Sequence, residues 1–316
     1  MKYKLCHVVL ELTSLCNLRC RHCYSYFNKA QNINEFQFRR IINDLAEMGC
    51  RSLTLSGGEP LVIGEKLFRY AEYAKNKNME VTLTTNGVLV DKFRTNHFDI
   101  FDKIQVSLDG PKKIHDYIRG SGTFEHVIKS IHSLSNHSHL IVMTTLSSLN
   151  VDKLKTIYEL TKEIGVRMCI ERITCVGRGS EMKRLTKEQF RRALSICRRL
   201  DIHTTDPLFF RFKQQPKIQK NKITGGCSAG VAAIAITASL DVLPCVRIRN
   251  SIGNLKKDNI EKIWYESDVL NRLRNRNNLK GKCGICKYKN ICGGCRADAL
   301  SVYGDMFYED SLCWIN

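Results

Sequence analysis

No apolar run in the 316 residues approaches the roughly 18–20 needed to cross a bilayer. The N-terminus, MKYKLCHVVLELTSLC, lacks a signal peptide's apolar core and small-residue cleavage site, because polar residues soon interrupt its apolar run. Together these absences exclude a membrane span and a secretory signal, and they predict a cytoplasmic protein. No internal repeat is present, which excludes a solenoid or a propeller. Acidic residues are scarce: 31 Asp and Glu face 50 Lys and Arg, for a formal charge of +19. The stretch NRLRNRNNLKGKCGICKYK (271–289) contains none. Such a field draws polyanions, whether nucleic acid, an acidic peptide or a multiply carboxylated small molecule, although a basic surface also serves solubility alone.

Cysteine, by contrast, is abundant. Fifteen cysteines in a reducing compartment argue against a disulfide framework, and an odd count makes one awkward. Cys6, Cys50, Cys169, Cys175 and Cys197 have no ligand-like spacing and read as small buried hydrophobes. Cys169 and Cys175 flank a candidate strand, and a thiol facing a cavity there would be able to return a hydrogen atom to a substrate radical. The other ten fall into two patterned groups.

From residue 5 to about 175 the chain alternates β-branched runs with amphipathic helical patterns. The strand candidates are HVVLELT (7–13), SLTLSGG (52–58), EVTLTTNG (80–87), KIQVSLDG (103–110), LIVMTTLSSLN (140–150) and GVRMCIERI (165–173). Between the first two, Asn34 caps a helix that places Phe38, Ile41, Ile42, Leu45 and Met48 on one face. Repeated strand–helix units predict parallel strands with right-handed crossovers. Six units fall short of the eight that close a barrel, so the expected fold is α/β, an open partial (β/α)6 barrel of the TIM type, over residues 1–204. A bridging segment (205–226) and a small cysteine-rich domain (227–316) follow. Catalytic groups in such barrels gather at the C-terminal ends of strands. Strand one leads into Cys16, Cys20 and Cys23; strands two, three and four end in SGGEP, TTNG and SLDG. Four motifs therefore converge on one mouth.

Cys16, Cys20 and Cys23 form C-x-x-x-C-x-x-C with no fourth cysteine nearby. Three thiolates after a strand suit a cubane iron–sulfur cluster, one thiolate per iron, with the fourth iron open. A zinc site completed by a distant residue is the alternative. The triplet with His22 before its last cysteine, followed by SGGEP, TNG and SLDGPKKIHDYIRGSGTFEHVIKSI (107–131), resembles the radical S-adenosylmethionine (SAM) superfamily over most of the first two hundred residues. The resemblance implies that the open iron chelates SAM through its amino and carboxylate groups. Reductive cleavage then releases a 5′-deoxyadenosyl radical that abstracts hydrogen from an unactivated C–H bond. By position, it assigns Cys16, Cys20 and Cys23 to the cluster and His22 to the adenine. Gly57 and Gly58 would allow close approach of the cofactor's amino-acid end, and Glu59 would accept from its ammonium group, directly or through the adjoining backbone. Ser107 would contact the ribose and Arg119 the carboxylate. An electron donor such as flavodoxin or ferredoxin is implied.

The second group is Cys227, Cys245, Cys283, Cys286, Cys292, Cys295 and Cys313. Two C-x-x-C pairs in a basic setting also fit a zinc ribbon that binds nucleic acid, the non-enzyme reading. The whole array resembles the SPASM extension of radical SAM enzymes, which holds two auxiliary iron–sulfur clusters. That resemblance gives Cys283, Cys286, Cys292 and Cys313 to an outer cluster and Cys227, Cys245 and Cys295 to an inner one. KNKITGG, before Cys227, offers no fourth inner cysteine, so an open or non-cysteine position is expected there. Val246 stands where sulfatase-maturing relatives carry an acidic base, which argues against formylglycine synthesis.

Two reactions fit the family. The first, and the preferred one, is oxidation of a ribosomally made peptide or cofactor precursor by crosslinking, decarboxylation or a similar step. Only fifteen residues precede Cys16, so a separate leader-binding protein would serve as partner. The second is modification of a haem-type tetrapyrrole at its propionates, for which a basic cavity is useful. The sequence names no residue that acts on the substrate itself.

Overall fold

The computed structural model describes residues 3–25, 30–212 and 222–315. Six strands, β1 (His7–Thr13), β2 (Ser52–Gly57), β3 (Glu80–Thr85), β4 (Lys103–Ser107), β5 (Leu140–Leu146) and β6 (Arg167–Arg172), lie side by side in chain order. All their pairings are parallel. The expected open barrel of six β/α units is therefore present. Strands two to five end short of their sequence patterns, because residues 58, 86–87, 108–110 and 147–150 leave the ladder.

Strand alternation decides which face does what. Val8, Leu10, Leu12, Leu53, Leu55, Val81, Leu83, Ile104 and Val106 are fully buried in the main hydrophobic core. Their neighbours His7, Ser52, Thr54, Thr82, Thr84, Lys103, Gln105 and Ser107 point the other way and line the lumen. A closed eight-stranded barrel fills its interior with branched apolar side chains. This one keeps the interior polar and open.

The connecting helices cover the apolar face. The helix α1 (Glu35–Glu47) starts at the expected Asn34 with a capping box: Asn34 Oδ1 accepts from Gln37 N, and Gln37 Oε1 accepts from Asn34 N. Its Phe38, Ile41, Ile42 and Leu45 are buried, and Phe38 stacks on Tyr70 of α2 (Lys66–Lys75) with centroids 4.0 Å apart. α3 (Lys112–Arg119) and α4 (Thr123–Ser133) follow β4, α5 (Leu154–Ile164) follows β5 and α6 (Lys187–Leu200) follows β6.

The later part of the chain extends the same sheet. β7 (His203–Thr204) pairs with β6, while β8 (Ala233–Ile236) pairs in parallel with β1 and carries β9 (Asp241–Leu243) and β10 (Gly253–Asn254) antiparallel beyond it. Ten strands thus form one sheet among the described residues. Leu208, Phe209 and Phe210 of the expected bridging segment are buried in a 3₁₀ turn, and residues 213–221 lie outside the described residues. Trp264 is fully buried and its Nε1 donates to Tyr3 O at 3.0 Å, tying the cysteine-rich part to the start of the chain. No helix among the described residues is long and apolar enough to cross a membrane.

Candidate functional site

The C-terminal ends of β1–β6 open into a cavity of about 960 Å³. Every residue assigned to the first cluster and to SAM lines it: Cys16, Cys20, His22, Cys23, Gly57, Gly58, Glu59, Ser107 and Arg119. The cysteine loop is held from three sides. Arg21 N donates to Ile118 O at 2.8 Å, Arg178 Nε donates to Cys20 O at 2.9 Å, and Asn86 of the TNG motif donates through Nδ2 to Asn17 Oδ1 at 2.8 Å.

The glycine pair has a use that the sequence did not disclose. Gly58 N donates to Thr13 O, and a Cβ on Gly58 would stand 2.1 Å from Leu15 O. A Cβ on Gly57, at φ +148°, would stand 2.5 Å from Thr13 O. Both glycines therefore let the end of β2 press against the root of the cysteine loop. Glu59 is likewise occupied. Its carboxylate is buried and accepts from Leu61 N (3.1 Å), Thr85 Oγ1 (2.8 Å) and Asn86 N (2.7 Å), locking β2 to β3. Burial raises its pKa to about 6 against those bonds.

Asp109, inside the SLDG motif yet not singled out, organises the opposite side. Its Oδ2 accepts from Arg119 Nε at 2.6 Å and lies 3.4 Å from His22 Nε2, while Oδ1 accepts from Thr145 N at 2.8 Å. Arg119 holds the Asp109 carboxyl below its ordinary range despite complete burial. Burial, partly countered by Asp109, lowers His22 to about 4, so the imidazole is neutral. Its Nδ1 is buried without a hydrogen-bond partner among the described residues and is left for a ligand.

The seven later cysteines lie in two places. Cys283, Cys286, Cys292 and Cys313 line one small cavity beneath Leu208 and Phe210. Cys245 and Cys295 share a second cluster with Ile248 and Ala297, and Cys227 is near enough to both to raise their thiol pKa values. Gly226, at φ +81°, permits the approach that lets Cys227 N donate to Cys292 O. Burial pushes the Cys295 thiol up to about 12, so a bound metal would have to supply its deprotonation. Buried nitrogens without partners among the described residues stand by Cys227 and Cys292: Arg276 Nε and Nη1. Such orphan donors fit an anionic centre. No three His, Cys, Asp or Glu side chains among the described residues converge as they would on a single ion.

Residues 10–161 match the radical SAM superfamily, and residues 227–295 match SPASM, an iron–sulfur cluster-binding domain. The AdoMet-dependent heme synthase of Methanosarcina barkeri is 31% identical, over 97% of this chain and 95% of that protein. This chain is a radical SAM enzyme with a SPASM domain.

Mycofactocin maturase MftC of Mycolicibacterium smegmatis is 27% identical, over 91% of this chain and 77% of that one. Among solved structures, Streptococcus suis SuiB bound to S-adenosylmethionine has the same fold, with a TM-score of 0.82 over 99% of this chain and 78% of that one at 17% identity. The cofactors of this radical SAM enzyme are therefore SAM, a [4Fe–4S] cluster and auxiliary iron–sulfur clusters, and the zinc-ribbon reading falls. Of the five cysteines read as buried hydrophobes, Cys6 is exposed and the other four are buried. Cys169 and Cys175 are not among the described residues lining the cavity.

Proposed function

We propose that this radical SAM enzyme oxidises the propionate side chains of a haem-type tetrapyrrole. The charge of the cavity carries the reading. Arg19, Lys103, Arg119, Arg172, Arg178 and Arg247 line it, against only Glu59 and Glu171 among the described residues. Glu59 is already engaged by three donors. Lys103, Arg119 and Arg172 already face Glu80, Asp109 and the Asp206–Asp310 pair, so Arg19, Arg178 and Arg247 are the lining cations that a substrate bringing several carboxylates would meet. The heme synthase likeness, which spans nearly the whole of both chains, supports the same class.

Cys16, Cys20 and Cys23 would hold the first cluster, and Arg119, oriented by Asp109, would hold the SAM carboxylate. Neutral His22 would lie against the adenine and Ser107 against the ribose. Cys283, Cys286, Cys292 and Cys313 would hold the outer auxiliary cluster, and Cys227, Cys245 and Cys295 the inner one. When bound, SAM and its cluster supply a 5′-deoxyadenosyl radical for hydrogen abstraction. The protein's part is to orient a C–H bond toward that position and keep water out of it. A small electron carrier such as flavodoxin or ferredoxin would supply the reducing electron.

Peptide maturation is the second reading, supported by the MftC likeness over most of the chain. One experiment separates the two. Reconstituted enzyme is given dithionite, SAM and iron coproporphyrin III, and the tetrapyrrole is followed by mass spectrometry beside 5′-deoxyadenosine. Loss of carboxyl mass in step with 5′-deoxyadenosine is expected. An unchanged tetrapyrrole, with 5′-deoxyadenosine still released, would reject the tetrapyrrole reading and turn attention to peptides.

A further inference from the structure

The turn that follows the second inner cysteine is built to present one side chain. Ile248 N donates to Cys245 O at 2.8 Å, closing a four-residue turn with Val246 and Arg247 at its tip, and both tip residues line the cavity. Arg247 stands beside the Cys245 and Cys295 sulfurs and reaches outward from them. Its Nη1 donates to Arg172 O at 3.2 Å and stands 3.9 Å from Glu171 Oε2, an ion pair too long to occupy the guanidinium. Its Nε is buried without a partner among the described residues.

Two residues beyond Arg172, Thr174 lines the same cavity, and its Oγ1 is also buried without a partner among the described residues. Thr174 belongs to a segment pressed on the three-cysteine loop: Arg178 Nε donates to Cys20 O, and a Cβ on Gly179 would stand 3.1 Å from His22 O and 3.4 Å from Thr174 O. Arg247 belongs to the inner cysteine set through Cys245. The two orphan groups thus line one cavity, Thr174 from the segment on the three-cysteine loop and Arg247 from the turn after Cys245. Leaving a buried guanidinium N–H and a buried hydroxyl unpaired is costly, and a carboxylate satisfies both together.

We infer that Arg247 and Thr174 form a carboxylate subsite that holds one propionate of the substrate between the SAM side of the cavity and the inner auxiliary cluster. This deepens the tetrapyrrole reading and rests on it. Arg247 is a positioning residue here: it fixes the carboxylate, and through it the C–H bonds of that side chain.

Binding, without turnover, tests the inference. Reconstituted enzyme with SAM and no reductant is titrated with metal-free coproporphyrin III and with its tetramethyl ester, following porphyrin fluorescence. Arg247→Gln should weaken the acid by about 10- to 100-fold and leave the ester unchanged, Arg247→Lys should recover part of the loss, and Thr174→Val should weaken the acid by a smaller factor. Melting temperature and iron content identify any variant that has not folded, and Thr174→Val keeps the test open should Arg247→Gln be one. Tight binding of the acid to wild type and equally tight binding to both variants overturns the subsite and leaves the tetrapyrrole reading standing. Equal weakening of acid and ester also overturns it, because the guanidinium then serves the cluster or the turn. No binding of the acid to wild type overturns the reading and the subsite together.

Discussion

Arg119 Nε lies 2.6 Å from Asp109 Oδ2, and both side chains are buried. The pair fixes the guanidinium expected to meet the SAM carboxylate, and Asp109 also stands 3.4 Å from His22, expected at the adenine. Removing one partner of a buried pair leaves the other charge uncompensated, at a cost of roughly 3–5 kcal/mol. Asp109→Ala should lower stability by that order in urea unfolding and weaken SAM at least about tenfold by equilibrium binding. The double variant Asp109→Ala, Arg119→Ala should be less unstable than the sum of the two single changes. Additive losses would mean that the two side chains do not act as a pair.

Gly58 and Gly64 make a controlled comparison. Alanine at Gly58 would drive a methyl to 2.1 Å from Leu15 O, in the backbone that leads to Cys16. At Gly64 nothing stands within 4 Å, and only the φ of +65° resists a side chain. Gly58→Ala should cost roughly 3 kcal/mol or more and reduce iron uptake by the first cluster. Gly64→Ala should cost roughly 1–2 kcal/mol and leave iron content unchanged. Iron analysis after anaerobic reconstitution, with thermal melts, checks both.

Much of this was legible along the chain because local pattern and function coincide in β/α units. Strands one to four each ran into a motif, and the motif marked the mouth. The two fields of patterned cysteines stood apart from the other five by spacing, and the division of the second field into four and three came from the family resemblance. What the sequence could not display were partners distant along the chain. The pairing of β8 with β1 joins residues more than two hundred positions apart. Arg172, Asp206 and Asp310 lie in three unrelated segments, and none carries a motif. Gly57 and Gly58 were visible as glycines, but the surface they approach is protein backbone, which spacing cannot reveal. Asp109 was quoted within SLDG and still passed over, since only the fold shows that its carboxylate meets Arg119.

His115 should make stability depend on pH. It is fully buried, its Nδ1 accepts from Asp109 N, and burial, then the nearby Arg119 charge, lowers it from 6.5 to about 4. In the unfolded chain the imidazole binds a proton below about 6.5, and in the native protein only below about 4. Over that window the unfolded state holds more protons, so stability falls as the pH drops, by about 3 kcal/mol from this group. Glu59, raised from 4.5 to about 6, acts in the opposite sense over a narrower range. Urea unfolding of His115→Asn from pH 7 to pH 4.5 should show a shallower loss than wild type. An identical slope would remove His115 as a source.

The outer quartet predicts a stoichiometry. Cys283→Ala should remove about four of roughly twelve irons per chain, and Cys6→Ala, an exposed thiol outside both sets, should remove none. Iron and sulfide assays on anaerobically reconstituted protein read this directly. A loss confined to one iron would exclude a cubane at that position.

Arg172 joins the barrel to the auxiliary region. At the end of β6 its Nη2 donates to Asp206 Oδ1 and its Nη1 to Asp310 Oδ1, both at 2.7 Å, and all three side chains are nearly inaccessible. Asp310 passes the constraint on: its Oδ2 accepts from Cys295 N at 2.7 Å and its Oδ1 from Leu312 N, one residue before Cys313. Arg172 keeps the Asp310 carboxyl below its ordinary range against the effect of burial. Without that charge the two aspartates would face each other's surroundings unpaired, and one would take up a proton or draw in water. Arg172→Met should therefore destabilise the protein by roughly 3–5 kcal/mol and loosen iron binding by both auxiliary sets while sparing Cys16, Cys20 and Cys23. Adding Asp310→Asn should recover part of the stability, because it removes a stranded charge and keeps an acceptor for Cys295 N. Iron counts with and without intact Cys20, together with unfolding curves of the single and double variants, give the answer. If Arg172→Met instead emptied the first cluster and left the auxiliary irons in place, the arginine would belong to the barrel mouth and not to the link between the two regions.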